Sequence, residues 1–261
     1  MVNNKTIGII GCGWLGIRLA RHLGQNHRLV VTTTSDHKMN DLAEEGFNPV
    51  LANFSFPEGA SVNFSQVTRP QVLIITIPFS KRTDRESLMS RFSNLITCIK
   101  QNRFEGQMFL MSSIGIYPDT EDLITEENVQ EDLLEPHILL VEKLMKKEFP
   151  EINILRLGGL MGDNRFLSKY SIAPPLDKKV NHIHYKDVCG VVEKMIREKS
   201  FSRLFNVVSP VHPTKRQILE QQTGKTFTEE FDKAVSGKVV SPQKLEKDLS
   251  YVFQYPDPLY F

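Results

Sequence analysis

The chain has 261 residues, 40% of them apolar and 24% charged, which suits one large α/β domain or a domain with a small appendage. Its 32 basic and 31 acidic residues leave a formal net charge of +1, so there is no electrostatic footing for nucleic acid. Cys12, Cys98 and Cys189 match no zinc or CxxC spacing, no apolar run reaches the roughly 18 residues of a membrane span, and the N-terminus carries no signal-peptide pattern; the expectation is a reduced, cytoplasmic protein.

Lys5–Ile10 is a short apolar run ending in glycine and predicts a buried parallel strand. Leu15, Leu19 and Leu23 then recur at helical spacing over Trp14–Leu23. Arg28–Thr33 predicts a second strand, Asp36–Glu45 a helix, and Asn48–Ala52 a third strand. Gln71–Ile77 is the strongest strand signal, stopped by Pro78. Asp84–Gln101 is an amphipathic helix with Leu88, Phe92, Leu95 and Ile99 along one face. Gln107–Met111 predicts a fifth strand, Leu133–Glu148 a helix and Ile152–Leu157 a sixth strand. Later segments are a strand at Val180–Ile183, a helix that Asp187 would cap, a strand at Leu204–Val208, and helices at Thr214–Gln222 and Gln243–Leu249. The alternation predicts a doubly wound parallel sheet over residues 1–157. A smaller mixed region over 158–261 is partly interleaved with it.

Gly11-Cys12-Gly13-Trp14-Leu15-Gly16 is a GxGxxG sequence between the first strand and the first helix, where a dinucleotide-binding Rossmann fold requires it. The first glycine makes the tight turn, the second admits the pyrophosphate, and the third lets helix and strand pack closely. The helix start and its dipole favour the anion. The second strand ends Thr32-Thr33-Thr34-Ser35-Asp36-His37-Lys38, with neither an acid nor an arginine at its tip. Thr34 and Ser35 hydroxyls suit either NADP or NAD; Lys38 tilts the choice to NADP.

These residues resemble the extended short-chain dehydrogenases/reductases of the NAD-dependent epimerase/dehydratase type, as an atypical member. The similarity runs nearly end to end. It is carried by GCGWLG, by Thr76-Ile77-Pro78, by FLMSSIGIY (109–117), by ILRLGGLMGDNR (154–165), by NHIHYKDVCGVV (181–192), by FNVVSP (205–210) and by the ending at 238–256. The resemblance implies a Rossmann fold with a small C-terminal substrate-side appendage. It assigns Gly11, Gly13, Trp14, Leu15 and Gly16 to the pyrophosphate, and Asn53 and Phe54 to adenine. Thr76 and Pro78 would run along the ribose. Ser112 and Ser113 would lie near the nicotinamide, with Gly158 and Leu160 beyond it. The partner is then a small-molecule substrate. A homodimer face would lie on helices 84–101 and 133–148, although the stripe from Leu88 to Ile99 reads equally as core-facing.

The family's Tyr-x-x-x-Lys pair is missing. With Glu142 aligned to the family's glutamate, the tyrosine position is Leu134 and the lysine position is Ile138. Neither offers a proton. Ser113 matches the serine that bonds the substrate oxygen. Tyr117 and His137 are the nearest candidates for the proton, with His184 read as structural. Arg156 and Arg165 would flank the substrate, and Arg165 has the planar fork suited to an anion. Two readings remain: an oxidoreductase or epimerase-like enzyme on a small polar substrate, or a non-catalytic cofactor sensor.

Overall fold

The structure is a computed structural model and describes residues 4–57, 70–120, 122–170, 175–227 and 236–261. The strands are β1 Thr6–Ile10, β2 Arg28–Thr33, β3 Asn48–Leu51, β4 Val72–Ile75, β5 Gln107–Ser113, β6 Leu123–Ile124, β7 Asn153–Leu157, β8 Gly159–Met161, β9 His182–His184, β10 Leu204–Val207 and β11 Val239–Val240. The helices are α1 Trp14–Leu23, α2 Asp36–Glu44, α3 Arg85–Gln101, α4 Pro136–Glu148, α5 Tyr185–Arg197, α6 Lys215–Thr223 and α7 Gln243–Leu249.

Seven strands form one sheet in the order β10-β7-β5-β4-β1-β2-β3. The pairs β1–β2, β1–β4, β2–β3 and β4–β5 are parallel. The order reverses between β1 and β4, which makes this the switch point where a doubly wound sheet opens a crevice at its carboxyl ends. β1 and β4 are buried along their whole length, as two-sided burial demands of apolar runs without alternation.

Two compact units share the chain. The first comprises Met1–Gly115, Glu135–Leu155 and Met195–Arg203; the second comprises Ile116–Leu134, Arg156–Lys194 and Leu204–Phe261. Within the first, Gln107 Nε2 donates to the carbonyls of Met195 and Ser200, and Asn153 Nδ2 donates to those of Met108 and Ser200. The α3 stripe faces the core: Leu88, Phe92, Leu95 and Ile99 are fully buried, while Ser90, Ser93, Thr97 and Lys100 are exposed. Among the described residues no helix is long and apolar enough to cross a membrane.

Several element ends differ from the sequence expectation, and two of them bear on candidate residues. α4 starts at Pro136, three residues late, because proline suits the first helical position and holds the residues before it extended. Leu134, with φ −75° and ψ 147°, therefore precedes the helix and does not share a face with Ile138. α2 starts at Asp36 as expected and is capped by Ser35, whose side chain accepts from Lys38 N. The last correction concerns Asp187. α5 begins at Tyr185, so Asp187 sits inside its first turn, fully buried, and caps nothing there. Its Oδ1 accepts from Tyr251 Oη (3.0 Å) and Gln254 N (2.7 Å), and its Oδ2 from Tyr255 N (3.0 Å). Burial pushes this carboxyl above its ordinary pKa, while the three donors pull it back.

In the second unit β8 and β9 pair in parallel, with Gly159 opposite His182 and Met161 opposite His184. The His182 ring packs on Gly159: a Cβ there would stand 2.6 Å from His182 Cδ2. Burial lowers the His182 pKa from 6.5 to about 4. Below pH 6.5 the unfolded chain binds a proton that the folded chain refuses. The stability present above pH 6.5 is therefore lost as the pH falls toward 4, by about 3 kcal/mol for this one group. Glu126 and Asp187, raised by burial, act in the opposite sense. A His182→Phe variant isolates the histidine. The stability difference between wild type and variant is expected to shift by about 3 kcal/mol between pH 7 and pH 4 in urea titrations. A difference flat in pH would show that the imidazole titrates alike in both states.

Candidate functional site

The GxGxxG turn is built as its sequence requires. Gly11 has φ +94°, a conformation that side chains rarely adopt. Its N–H donates to Thr32 Oγ1 (2.9 Å), and Cys12 N donates to Thr32 O (2.6 Å). Thr76 Oγ1 donates to the carbonyls of Gly11 and Ile10, so β2 and β4 both pin the loop. A Cβ on Gly16 would stand 2.6 Å from Gly11 O, which explains the third glycine as a close approach of helix to loop. Gly13 differs. A Cβ there would meet no atom within 4 Å, so nothing in the chain itself excludes a side chain at this position. The space is what an approaching ligand needs.

That space belongs to a cavity of about 420 Å³ in the first unit, at the carboxyl ends of β1 to β4. Gly11, Cys12 and Gly13 line it, with Thr34 and Ser35 from the end of β2, Asn53 and Phe54 after β3, and Thr76 and Pro78 after β4. These expected residues are brought together. Trp14, Leu15 and Gly16 are not part of the lining: Leu15 and Gly16 are buried in helix packing, and Trp14 is covered by the Arg18 guanidinium at 3.8 Å. Among the described residues that line the cavity there is no carboxylate. The charged ones are Lys38 and Arg91, and Arg91 was not singled out from the sequence. Burial pushes the Cys12 thiol up to about 11, away from a reactive thiolate.

The residues expected near the nicotinamide divide. Ser112 is buried and its hydroxyl donates to Glu142 Oε1, a contact inside the fold. Ser113 is half-exposed at the end of β5, and its Oγ accepts from Gly115 N at 3.0 Å. That contact uses a lone pair and leaves the hydroxyl proton for donation. Ile138 Cδ1 lies 3.5 Å from where a Cβ on Gly115 would stand, so a methyl group occupies the ground beside this turn. His137 stands in the first turn of α4, half-exposed, with Nδ1 buried and without a hydrogen-bond partner among the described residues.

In the second unit Tyr117 is buried. Its hydroxyl donates to Asn206 Oδ1 (2.7 Å) and accepts from Arg156 Nη1 (2.9 Å). Burial raises its pKa. Arg156 is likewise buried, which removes it from a substrate-facing role. Arg165 is half-exposed and closes a tight turn with Gly162, the two residues exchanging backbone hydrogen bonds at 3.0 and 3.1 Å. His184 stacks on Tyr255 at 3.8 Å between ring centroids, a packing role.

The crevice at the switch point and the glycine turn define a doubly wound, Rossmann-type fold, and the solved structures it superposes on include a putative NAD-dependent epimerase/dehydratase of Methylobacillus flagellatus, with TM-score 0.77, 20% identity, and coverage of 99% of this chain and 96% of that one. The chain superposes on the Thermotoga maritima UDP-glucose 4-epimerase solved with UDP-glucose, with TM-score 0.75, 13% identity, and coverage of 95% of this chain and 94% of that one. It superposes on the Bordetella bronchiseptica enzyme WbmG, solved in complex with NAD, with TM-score 0.76, 14% identity, and coverage of 99% and 92%. In sequence it is 24% identical to Protein YeeZ of Escherichia coli K12 across 98% of both chains. No protein-family model matches.

Proposed function

We propose that the chain binds NADP(H), or NAD(H) less tightly, and acts as an oxidoreductase or epimerase-like enzyme on a small polar substrate of the sugar-nucleotide kind. The observation that carries this reading is the open space at Gly13, on a strand–turn–helix unit pinned by Thr32 and Thr76. NADP is favoured because Thr34, Ser35 and Lys38 border the cavity, and its described lining brings no acid to a ribose 2′-hydroxyl. The Thr34 hydroxyl has no partner among the described residues and suits a phosphate oxygen. The bound nicotinamide would supply hydride exchange at its C4. Ser113 then donates its hydroxyl proton in a hydrogen bond to the substrate oxygen. His137, half-exposed in the first turn of α4, is the group for holding or delivering a proton; the Tyr117 hydroxyl is already bonded to both Asn206 and Arg156. Arg165 takes an anionic group of the substrate. The reduced cysteines fit a cytoplasmic setting.

A second reading, a cofactor sensor without turnover, draws support from the methyl group of Ile138 where the family's lysine would stand. Thermal-shift titrations with NAD, NADH, NADP and NADPH test both. NADPH is expected to give the largest rise in melting temperature, growing with the logarithm of its concentration. NADPH oxidation on a sugar-nucleotide and carbonyl panel, falling about a hundredfold in Ser113→Ala, supports the enzyme. Saturable binding without oxidation supports the sensor. No shift with any of the four nucleotides defeats both.

A further inference from the structure

We propose that Arg91 is a positioning residue that closes the adenine slot, with its guanidinium lying flat against the base. This rests on the dinucleotide reading above. Arg91 stands in the second turn of α3 and lines the cavity, half-buried. One edge of its guanidinium is fixed, Nη1 donating to Pro78 O at 3.3 Å. Among the described residues no carboxylate lines the cavity and Arg91 forms no ion pair. A planar cation held by its edge and lacking an acid presents its faces, and such a face stacks on aromatic rings and bases.

The wall beside it supports this. Three residues further along α3, Asn94 Nδ2 donates to Phe54 O at 3.0 Å, tying the helix to the segment after β3. Within that segment Asn53 Oδ1 accepts from Ser55 N at 3.0 Å. One lone pair of the acceptor expected to read adenine's amino edge is therefore already taken. Asn53, on the same cavity lining as Arg91, brings no carboxylate to compete for the guanidinium. Asparagine leaves the guanidinium to the ligand, so the base is gripped by its face and little by its edge. The charge of a ribose phosphate has its own cation in Lys38, beside Ser35 at the far end of β2, so Arg91 is not needed for it.

Calorimetric titration of wild type, Arg91→Ala and Arg91→Lys with NADPH, NADH and ADP-ribose tests the proposal. Both variants are expected to weaken all three ligands about tenfold, with lysine no better than alanine because it keeps the charge and loses the plane. Reduced nicotinamide hypoxanthine dinucleotide phosphate, which lacks the amino edge, is expected to bind wild type within about threefold of NADPH. Rescue by lysine, a loss confined to NADPH, or an unchanged alanine variant would overturn the proposal while leaving the dinucleotide reading standing. A wild-type protein that binds none of the ligands would overturn both.

Discussion

Gly13→Asp is expected to abolish dinucleotide binding while leaving the protein as stable as before. The two effects separate because Gly13 is held open by nothing in the chain: a Cβ there meets no atom within 4 Å, and φ is −84°, on the ordinary side for an L residue. Gly13 is also the N-cap of α1 and provides no side-chain cap. Aspartate is a good N-cap, so stability should hold or rise by a few tenths of a kcal/mol. The same carboxylate stands where the pyrophosphate would bind and repels it. The dissociation constant for NADPH should rise about a hundredfold or more, roughly 3 kcal/mol. Gly16→Ala should do the reverse. Its Cβ would stand 2.6 Å from Gly11 O, so the helix must shift, costing about 2 kcal/mol of fold stability. Calorimetric titration beside thermal melts measures both. If Gly13→Asp binds NADPH like wild type, the cavity is not the phosphate site.

The second large effect is expected at Asp187. Replacing it with alanine removes the acceptor of Tyr251 Oη, Gln254 N and Tyr255 N at once. Bonds to a charged group contribute about 1.5–3 kcal/mol each, and the donors left behind lose their acceptor in the interior. Compensation within the network keeps the total below the sum, so a loss of about 4 kcal/mol is expected, or roughly 10 °C in melting temperature for a chain of this size. Asp187→Asn keeps one acceptor oxygen and should fall between wild type and alanine. A loss under about 1 kcal/mol in Asp187→Ala would mean that the C-terminal segment holds to α5 by packing alone.

The sheet and the glycine turn were legible because their signals are local. β1 and β4 are unbroken apolar runs, and GxGxxG lay between a strand and a helix. Proline chemistry near residue 136 was local too, yet the apolar period extending back to Leu133 overrode it and hid the late start of α4. Asp187 was misread for another reason. A buried acceptor and a cap look alike until residues 251–255 return from more than 60 positions away. Tyr117 was a candidate for the proton and Arg156 for a place beside the substrate, because each carries a polar head group. Only the fold shows them bonded to one another. Arg91 left no sequence signal at all. It is one of several polar residues on a helix whose apolar face was plain, and the cavity it lines requires Asn94 to dock on Phe54, a contact that spans 40 positions.

The weaving of the chain between its two units bears on synthesis. Residues 195–203 complete the first unit, and the carbonyls of Met195 and Ser200 hold Gln107 and Asn153. A nascent chain released at about 5–20 residues per second has made all the sheet strands of that unit tens of residues before these carbonyls emerge. The Gln107 amide then waits without either acceptor, and the Asn153 amide with only Met108 O. Translation past residue 203, and not completion of the glycine turn near the N-terminus, is the event that lets the first unit reach its final form. A pause placed between residues 157 and 195 would lengthen the life of that incomplete intermediate.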